Sequence, residues 1–282
     1  MNLEKLKDEC EKLGILRAFD ELKKYARNAI VINQSTTDDK LIKIGSSKFG
    51  GLPDLPKNIE WFKNETTKNH LHFIAQINFS EVKKYDLEDE LPNSGILYLF
   101  YDCIDMPWGY DFKDRYGKKV FYFDGNLSEL ERKSAPENTE IFDAMKLSFS
   151  AEIELPDHES DLIDTDKFND EETDKIYDIQ YEFYEENGDK ILGHSNNIQD
   201  GMELECELVT NGLYCGDESG YNDPIRFELE KNVANWKLLL QIDSNEENGM
   251  MWCDYGKIYL WITKQNLKDR NFQDSWLILQ CD

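Results

Sequence analysis

Residues 72–79 read HFIAQINF, and far downstream residues 237–243 read KLLLQID. Each is a short run dense in apolar residues, which marks a buried strand. Each carries a glutamine and ends in Ile followed by Asn or Asp. The neighbours repeat in the same order. SKFGGLPDLP (47–56) precedes the first strand and DKILGHSNNIQ (189–199) the second. GILYLFY from Gly95 and GKIYLWI from Gly256 follow, and then KKVFYFDG from Lys118 and SWLILQCD from Ser275. Agreement in order along so much of the chain reads as an internal duplication, with two β-rich lobes in one structure.

Strand periodicity of two puts Leu71, Phe73, Ala75, Ile77 and Phe79 on one face of the first copy, and His72, Ile74, Gln76 and Asn78 on the other. KLSFSAEIELP (146–156) alternates in the same way. Leu41–Ile44 reads as a short strand. The chain begins differently: Leu3, Leu6, Cys10 and Leu13, then Leu16, Phe19, Leu22 and Ala26, recur at helical spacing, and Gly14 splits them into two short helices. Residues 157–175 are the most acidic stretch. Ile176, Ile179 and Phe183 then suggest an amphipathic helix, although Ile179, Tyr181 and Phe183 also alternate as a strand would. The fold class expected is α+β: two short N-terminal helices followed by two related, mostly antiparallel β lobes. The boundaries are 1–30 (helical), 31–156 (first repeat), 157–190 (acidic, partly helical) and 191–282 (second repeat).

The segments SKFGGLPDLP, LHFIAQINF, GILYLFY and LLLQIDS…GMMWCDYGKIYLWI together resemble the YwqG-like family, a domain of unknown function (DUF1963), from about Ser46 to Ile262. Leu192-Gly193-His194-Ser195 stands where that family usually reads Leu-Gly-Gly or Leu-Gly-Tyr-Pro. Trp252-Cys253-Asp254 stands where it usually reads Trp-Gly-Asp. The resemblance implies a duplicated, mostly β fold with helices at the start. It implies no established activity, cofactor or catalytic residue.

Charge narrows the partners. The 282 residues hold 58 acidic against 32 basic side chains, a formal net charge of −26. Such a field repels nucleic acid and anionic membrane surfaces and attracts basic proteins. Acidity also serves solubility alone. No apolar run reaches the ~20 residues that a membrane-spanning helix needs, and MNLEKLKDEC does not read as a secretory leader. Six scattered cysteines without a CxxC pair suit reduced thiols in a cytoplasm.

Searches for chemistry return little. Gln76 and Gln241 hold matching positions, either as anchors for neighbouring loops or as polar readers of a ligand at a lobe junction, together with Asn78, Asp243, Gly50 and Gly51. Gly50-Gly51 lacks a phosphate-loop context and reads as a tight turn. Asp243, Asn245, Glu247 and Asp254 surround Gly249, which falls one place late for a calcium loop. His70 and His72 share a strand face but have no third ligand at motif spacing. There is no GxSxG and no cysteine-nucleophile signature. Neither a catalytic residue, a metal site nor a cofactor is therefore assigned. The expectation is a non-catalytic cytoplasmic module that binds a protein partner, a basic one being what the acidity favours, in the manner of an immunity protein. The candidate partner surface is Trp108 and Tyr110 with Asp161, Asp164 and Asp166. The alternative is a small-molecule or metal-binding enzyme with its site between the repeats.

Overall fold

The computed structural model describes residues 3–157, 162–183 and 188–281. Its helices are α1 (Leu3–Lys12), α2 (Phe19–Leu22), α3 (Phe79–Val82), α4 (Asp170–Glu182), α5 (Glu203–Thr210), α6 (Glu218–Tyr221), α7 (Arg226–Leu229) and α8 (Lys264–Lys268). Its strands are β1 (Arg27–Thr36), β2 (Lys48–Phe49), β3 (Asp54–Pro56), β4 (His72–Asn78), β5 (Ile96–Tyr101), β6 (Lys118–Phe123), β7 (Leu130–Arg132), β8 (Met145–Glu154), β9 (Lys190–Leu192), β10 (Trp236–Asp243), β11 (Lys257–Thr263) and β12 (Trp276–Gln280).

Ten strands form one antiparallel sheet in the order β12-β11-β10-β9-β1-β8-β2-β4-β5-β6; β3 and β7 make a separate pair. The long β1 and β8 lie side by side at its centre, from Arg27 opposite Glu154 to Thr36 opposite Met145. From that pair outward the two wings match: β8 carries β2, β4, β5 and β6, while β1 carries β9, β10, β11 and β12. Each long strand therefore borders the wing that lies nearer the other in sequence.

The ends of the sheet approach one another, so the sheet is a nearly closed barrel. The ring of Tyr122 on β6 lies 4.9 Å from that of Phe272, just ahead of β12. The Leu279 N–H on β12 donates to the Trp108 carbonyl (3.0 Å) and the Trp276 indole N–H to the Gly109 carbonyl (2.8 Å). The edge of β12 is thus covered by the loop after β5, as exposed strand edges usually are. The largest apolar cluster runs through both wings, from Ile77 and Leu99 to Leu240 and Leu260. A second cluster joins α5 to β10, β11 and β12, and a third packs α1, α2 and α4 on Leu155.

Three local expectations change, and one ambiguity is decided. The seven residues of β4 are all buried, and they do not divide into one apolar and one polar face. The ladder with β5 slips between Phe73 and Ala75, and this bulge moves the side-chain alternation by one residue. Phe73 consequently packs with Leu71 in one cluster, while Ala75 and Ile77 pack in another. Leu41–Ile44 is not a strand: Asp39–Leu41 form a 3-10 turn capped by Asp38, and Leu41 is 79% exposed. The segment 1–30, read as helical, gives up its last residues to the central strand β1, which already begins at Arg27. The polar end of β1 (Asn33-Gln34-Ser35-Thr36) hid a strand signal confined to Ala29–Ile32. Residues 170–182 are helical, which decides the ambiguity at Ile179, and the Asn169 side chain caps that helix from Glu172 N–H.

Candidate functional site

Gln76 and Gln241 are fully buried and lie in equivalent polar knots. Gln76 stands opposite Lys48 on β2 and Tyr98 on β5; Gln241 stands opposite Lys190 on β9 and Tyr259 on β11. The Gln76 carbonyl accepts the Asp54 N–H (2.9 Å), and its amide donates to the Ser46 carbonyl (2.7 Å) and to Asp54 Oδ2 (2.9 Å). The Gln241 carbonyl accepts the Asn196 N–H (2.9 Å), and its amide donates to the Gly188 carbonyl (2.8 Å) and to Asn196 Oδ1 (2.9 Å). Tyr98 donates its hydroxyl to the Asp54 carbonyl, as Tyr259 does to that of Asn196. Each glutamine thereby spends its carbonyl and both amide protons on the chain flanking the short strand beside it, tying the residue two places before the lysine (Ser46, Gly188) to the residue six places after it (Asp54, Asn196).

The two buried lysines are tied alike. Lys48 Nζ lies 2.7 Å from Asp39 Oδ1, and Asp39 Oδ2 accepts the Leu52 N–H. Lys190 Nζ lies 2.7 Å from Glu154 Oε1, and Glu154 Oε2 accepts the His194 N–H. Burial pushes the Lys48 ammonium below its ordinary value, opposed by Asp54 and Asp39. Arg132 on β7 completes the first knot: its Nε meets Asp54 Oδ1 at 2.9 Å and its guanidinium also reaches the Ile42 carbonyl. Charges so enclosed by specific partners hold a loop in place and present no open group to a ligand.

The other sequence candidates are distributed around these knots. Asn78 caps α3 through the Ser80 N–H and donates to the Gly45 carbonyl. Asp243 receives the Ser244 N–H and pairs with Lys257 at 3.5 Å; its own N–H donates to Asp189. Gly50 and Gly51 take positive φ (59° and 66°), and a Cβ on Gly50 would sit 2.4 Å from the Asp143 carbonyl. The Gly51 N–H is given to the Phe142 carbonyl. Asn245 turns its amide to Gln34 and accepts the Glu247 N–H, as a turn residue does. His72 is buried and its Nδ1 accepts the Cys103 N–H. No group of three metal-ligating side chains occurs among the described residues. Trp108 packs half-buried against the main core. Asp164 and Asp166 are exposed, Asp164 paired with Lys167 at 2.8 Å; Asp161 lies outside the described residues.

Tyr110 leads to a surface that the sequence did not single out. Its ring meets Tyr214 edge-on at 5.8 Å, and its carbonyl accepts the Cys215 N–H. The segment from Tyr214 through α6 and α7 exposes Tyr214 (42%), Ile225 (52%) and Phe227 (69%). Among them stand the exposed carboxylates Asp217, Glu218, Glu228 and Glu230. Beneath this segment Glu205 receives the Tyr221 hydroxyl (3.3 Å), and burial raises its carboxyl to about 7, with Asp114 adding to the rise. The sequence signal was available: Ile225 and Phe227 are apolar residues in an otherwise polar helical stretch, between strands that need neither.

A family model described as "Domain of unknown function (DUF1963)" matches residues 47–281. No curated protein matches the chain.

Proposed function

The chain belongs to the DUF1963 family, and we propose that it is a non-catalytic binding protein that engages a basic protein partner in a cytoplasm. The observation that carries the reading is the 214–230 face, where exposed Tyr214, Ile225 and Phe227 are interleaved with carboxylates. Aromatic and aliphatic anchors ringed by charge are the usual anatomy of a protein interface. The surrounding charge selects a cationic partner and speeds its approach. The satisfied state of Gln76, Gln241, Lys48 and Arg132 favours scaffolding over chemistry for the knots. The cytoplasmic setting is supported by six cysteines that are all free.

The same reading takes the two wings as copies of one ancestral unit. Matched partners at Gln76 and Gln241, bulges at Phe73/Ala75 and at Leu238/Leu240, and the paired positive-φ residues Gly50 and Leu192 all support it. The acidic segment between α5 and β10 is then an addition to the second copy, and the partner surface belongs to that addition.

The test is co-purification from the native cytosol with the wild-type chain and with the Ile225→Ser/Phe227→Ser double variant. The reading expects a stoichiometric basic protein that leaves the wild type as salt rises and is absent from the variant. Retention of the same partner by the folded variant, or binding indifferent to salt, sinks it.

A further inference from the structure

A cavity of about 470 Å³ opens between the two wings, away from both polar knots. Its walls come from three separate stretches: Lys83 and residues 89–93 from the first wing, Lys237 at the start of β10, and Lys264, Leu267, Lys268 and Arg270 around α8. Five cations there face three carboxylates: Asp89 and Glu90 in the walls, and Asp86 beside Lys83. The chain as a whole runs the other way, with 58 acidic residues to 32 basic. Two of the five cations are already paired: Lys83 holds Asp86 and Asp89, and Lys237 holds Glu90. Lys264, Lys268 and Arg270 pair with none of the three, and five cations against three carboxylates leave a surplus of two.

The end of α8 sharpens the point. Asn271 N–H returns to the Asn266 carbonyl (2.8 Å) and Arg270 N–H to the Leu267 carbonyl (3.1 Å), which is the Schellman pattern of a helix C-terminus. The residue after such an end stands in the left-handed region, where glycine is the ordinary choice. Here it is Arg270, at φ 60°. Basic residues near a helix C-terminus also favour its dipole, which accounts for Lys268 without any ligand. It does not account for an arginine where the backbone favours glycine.

We propose that this inter-wing cavity binds a small molecule carrying phosphate groups. The volume lies in the range of small-molecule sites. The cations without a carboxylate partner are all donors, Arg270 sharing one hydrogen bond with the Tyr122 hydroxyl, and a guanidinium fork with flexible ammonium groups is the set that recognises phosphate oxygens. A phosphate group brings about −1.5 to −2 charges at neutral pH, so a single one neutralises the surplus. Leu91, Pro92 and Leu267 supply an apolar side for the remainder of the ligand. The cavity is independent of the 214–230 face, and either can fail without the other.

Isothermal titration calorimetry on the full chain tests this at about 0.15 M ionic strength, where long-range attraction is screened beyond ~8 Å. The probes are inorganic pyrophosphate and, as a polycarboxylate of similar charge, citrate. Pyrophosphate is expected to bind saturably with a dissociation constant below about 1 mM, and tighter than citrate. Arg270→Gly suits the local backbone and keeps the fold, and it is expected to weaken pyrophosphate at least tenfold. Lys268→Ala is expected to do likewise. Lys43→Ala, in a smaller cavity of about 340 Å³ elsewhere, is expected to change nothing. No saturable binding by the wild type overturns the proposal. So does equal affinity for citrate, or binding that survives Arg270→Gly and Lys268→Ala.

Discussion

Gln76 and Gln241 occupy the same place in two hydrogen-bond networks: each faces a buried lysine on a short strand and holds the residue six places after that lysine by its N–H. The relationship extends to the side chains of those held residues, Asp54 and Asn196, which both accept from the glutamine amide. An acid in one knot and an amide in the other do the same work because the donor is neutral. Asp54, the acid, also recruits a cation, Arg132.

Replacing either glutamine with alanine orphans a buried N–H and a buried carbonyl. Gln76→Ala and Gln241→Ala should each lower stability by about 1–3 kcal/mol for each group left without a partner. Denaturant midpoints of the two variants should fall by similar amounts. An unchanged midpoint for either would mean that its loop is held by something else.

Arg132→Ala leaves Asp54 as an enclosed carboxylate without its cation. Breaking a buried pair from one side costs about 3–5 kcal/mol. Asp54→Asn in the same background should recover part of the loss, because the amide can still accept from Gln76 and Gly45. A double variant no more stable than Arg132→Ala would show that the charge is not what matters.

His194 and Glu205 make stability depend on pH with opposite signs. Burial lowers His194 from 6.5 to about 4, while its Nε2 proton is held by the Tyr25 carbonyl at 2.7 Å. The unfolded chain therefore takes up a proton that the folded one refuses, and stability is lost as pH falls from about 6.5 to about 4. Glu205, raised to about 7, is protonated more readily when folded. Its contribution is present below 4.5 and is lost as pH rises through about 7. His194→Gln should flatten the first slope and Glu205→Gln the second, as read from unfolding free energies across that range.

Phe227→Ser alone should leave stability within about 0.5 kcal/mol of wild type, as exposed substitutions do. A large drop in the melting temperature would show that the side chain packs against the body of the protein.

The apolar runs at 72–78, 96–101, 236–243 and 257–263 announce the outer strands of both wings because each is short, dense and bounded by turn residues. The bulges at Ile74 and Leu239 do not announce themselves, since an extra residue changes the face and not the composition. β1 escaped because half of it is polar. α5, α6 and α7 escaped because the resemblance between the two halves drew 191–282 as β-rich throughout. The cavity between the wings is beyond reading from local sequence, as its cations lie at 83, 237 and 264–270 and meet only through the sheet.

The placement of β1 and β8 has a consequence for synthesis. β1 is flanked by β8 and β9, so once it leaves the ribosome it waits for more than a hundred residues before either neighbour exists. At ~5–20 residues per second that delay is about 5–20 s. Through that interval a ten-residue strand with Ala29–Ile32 unpaired is exposed to chaperones, to proteases and to the β1 of another nascent chain. A half-length product ending near residue 140 would keep that strand open permanently, which makes premature termination a route to aggregation rather than to a smaller working protein.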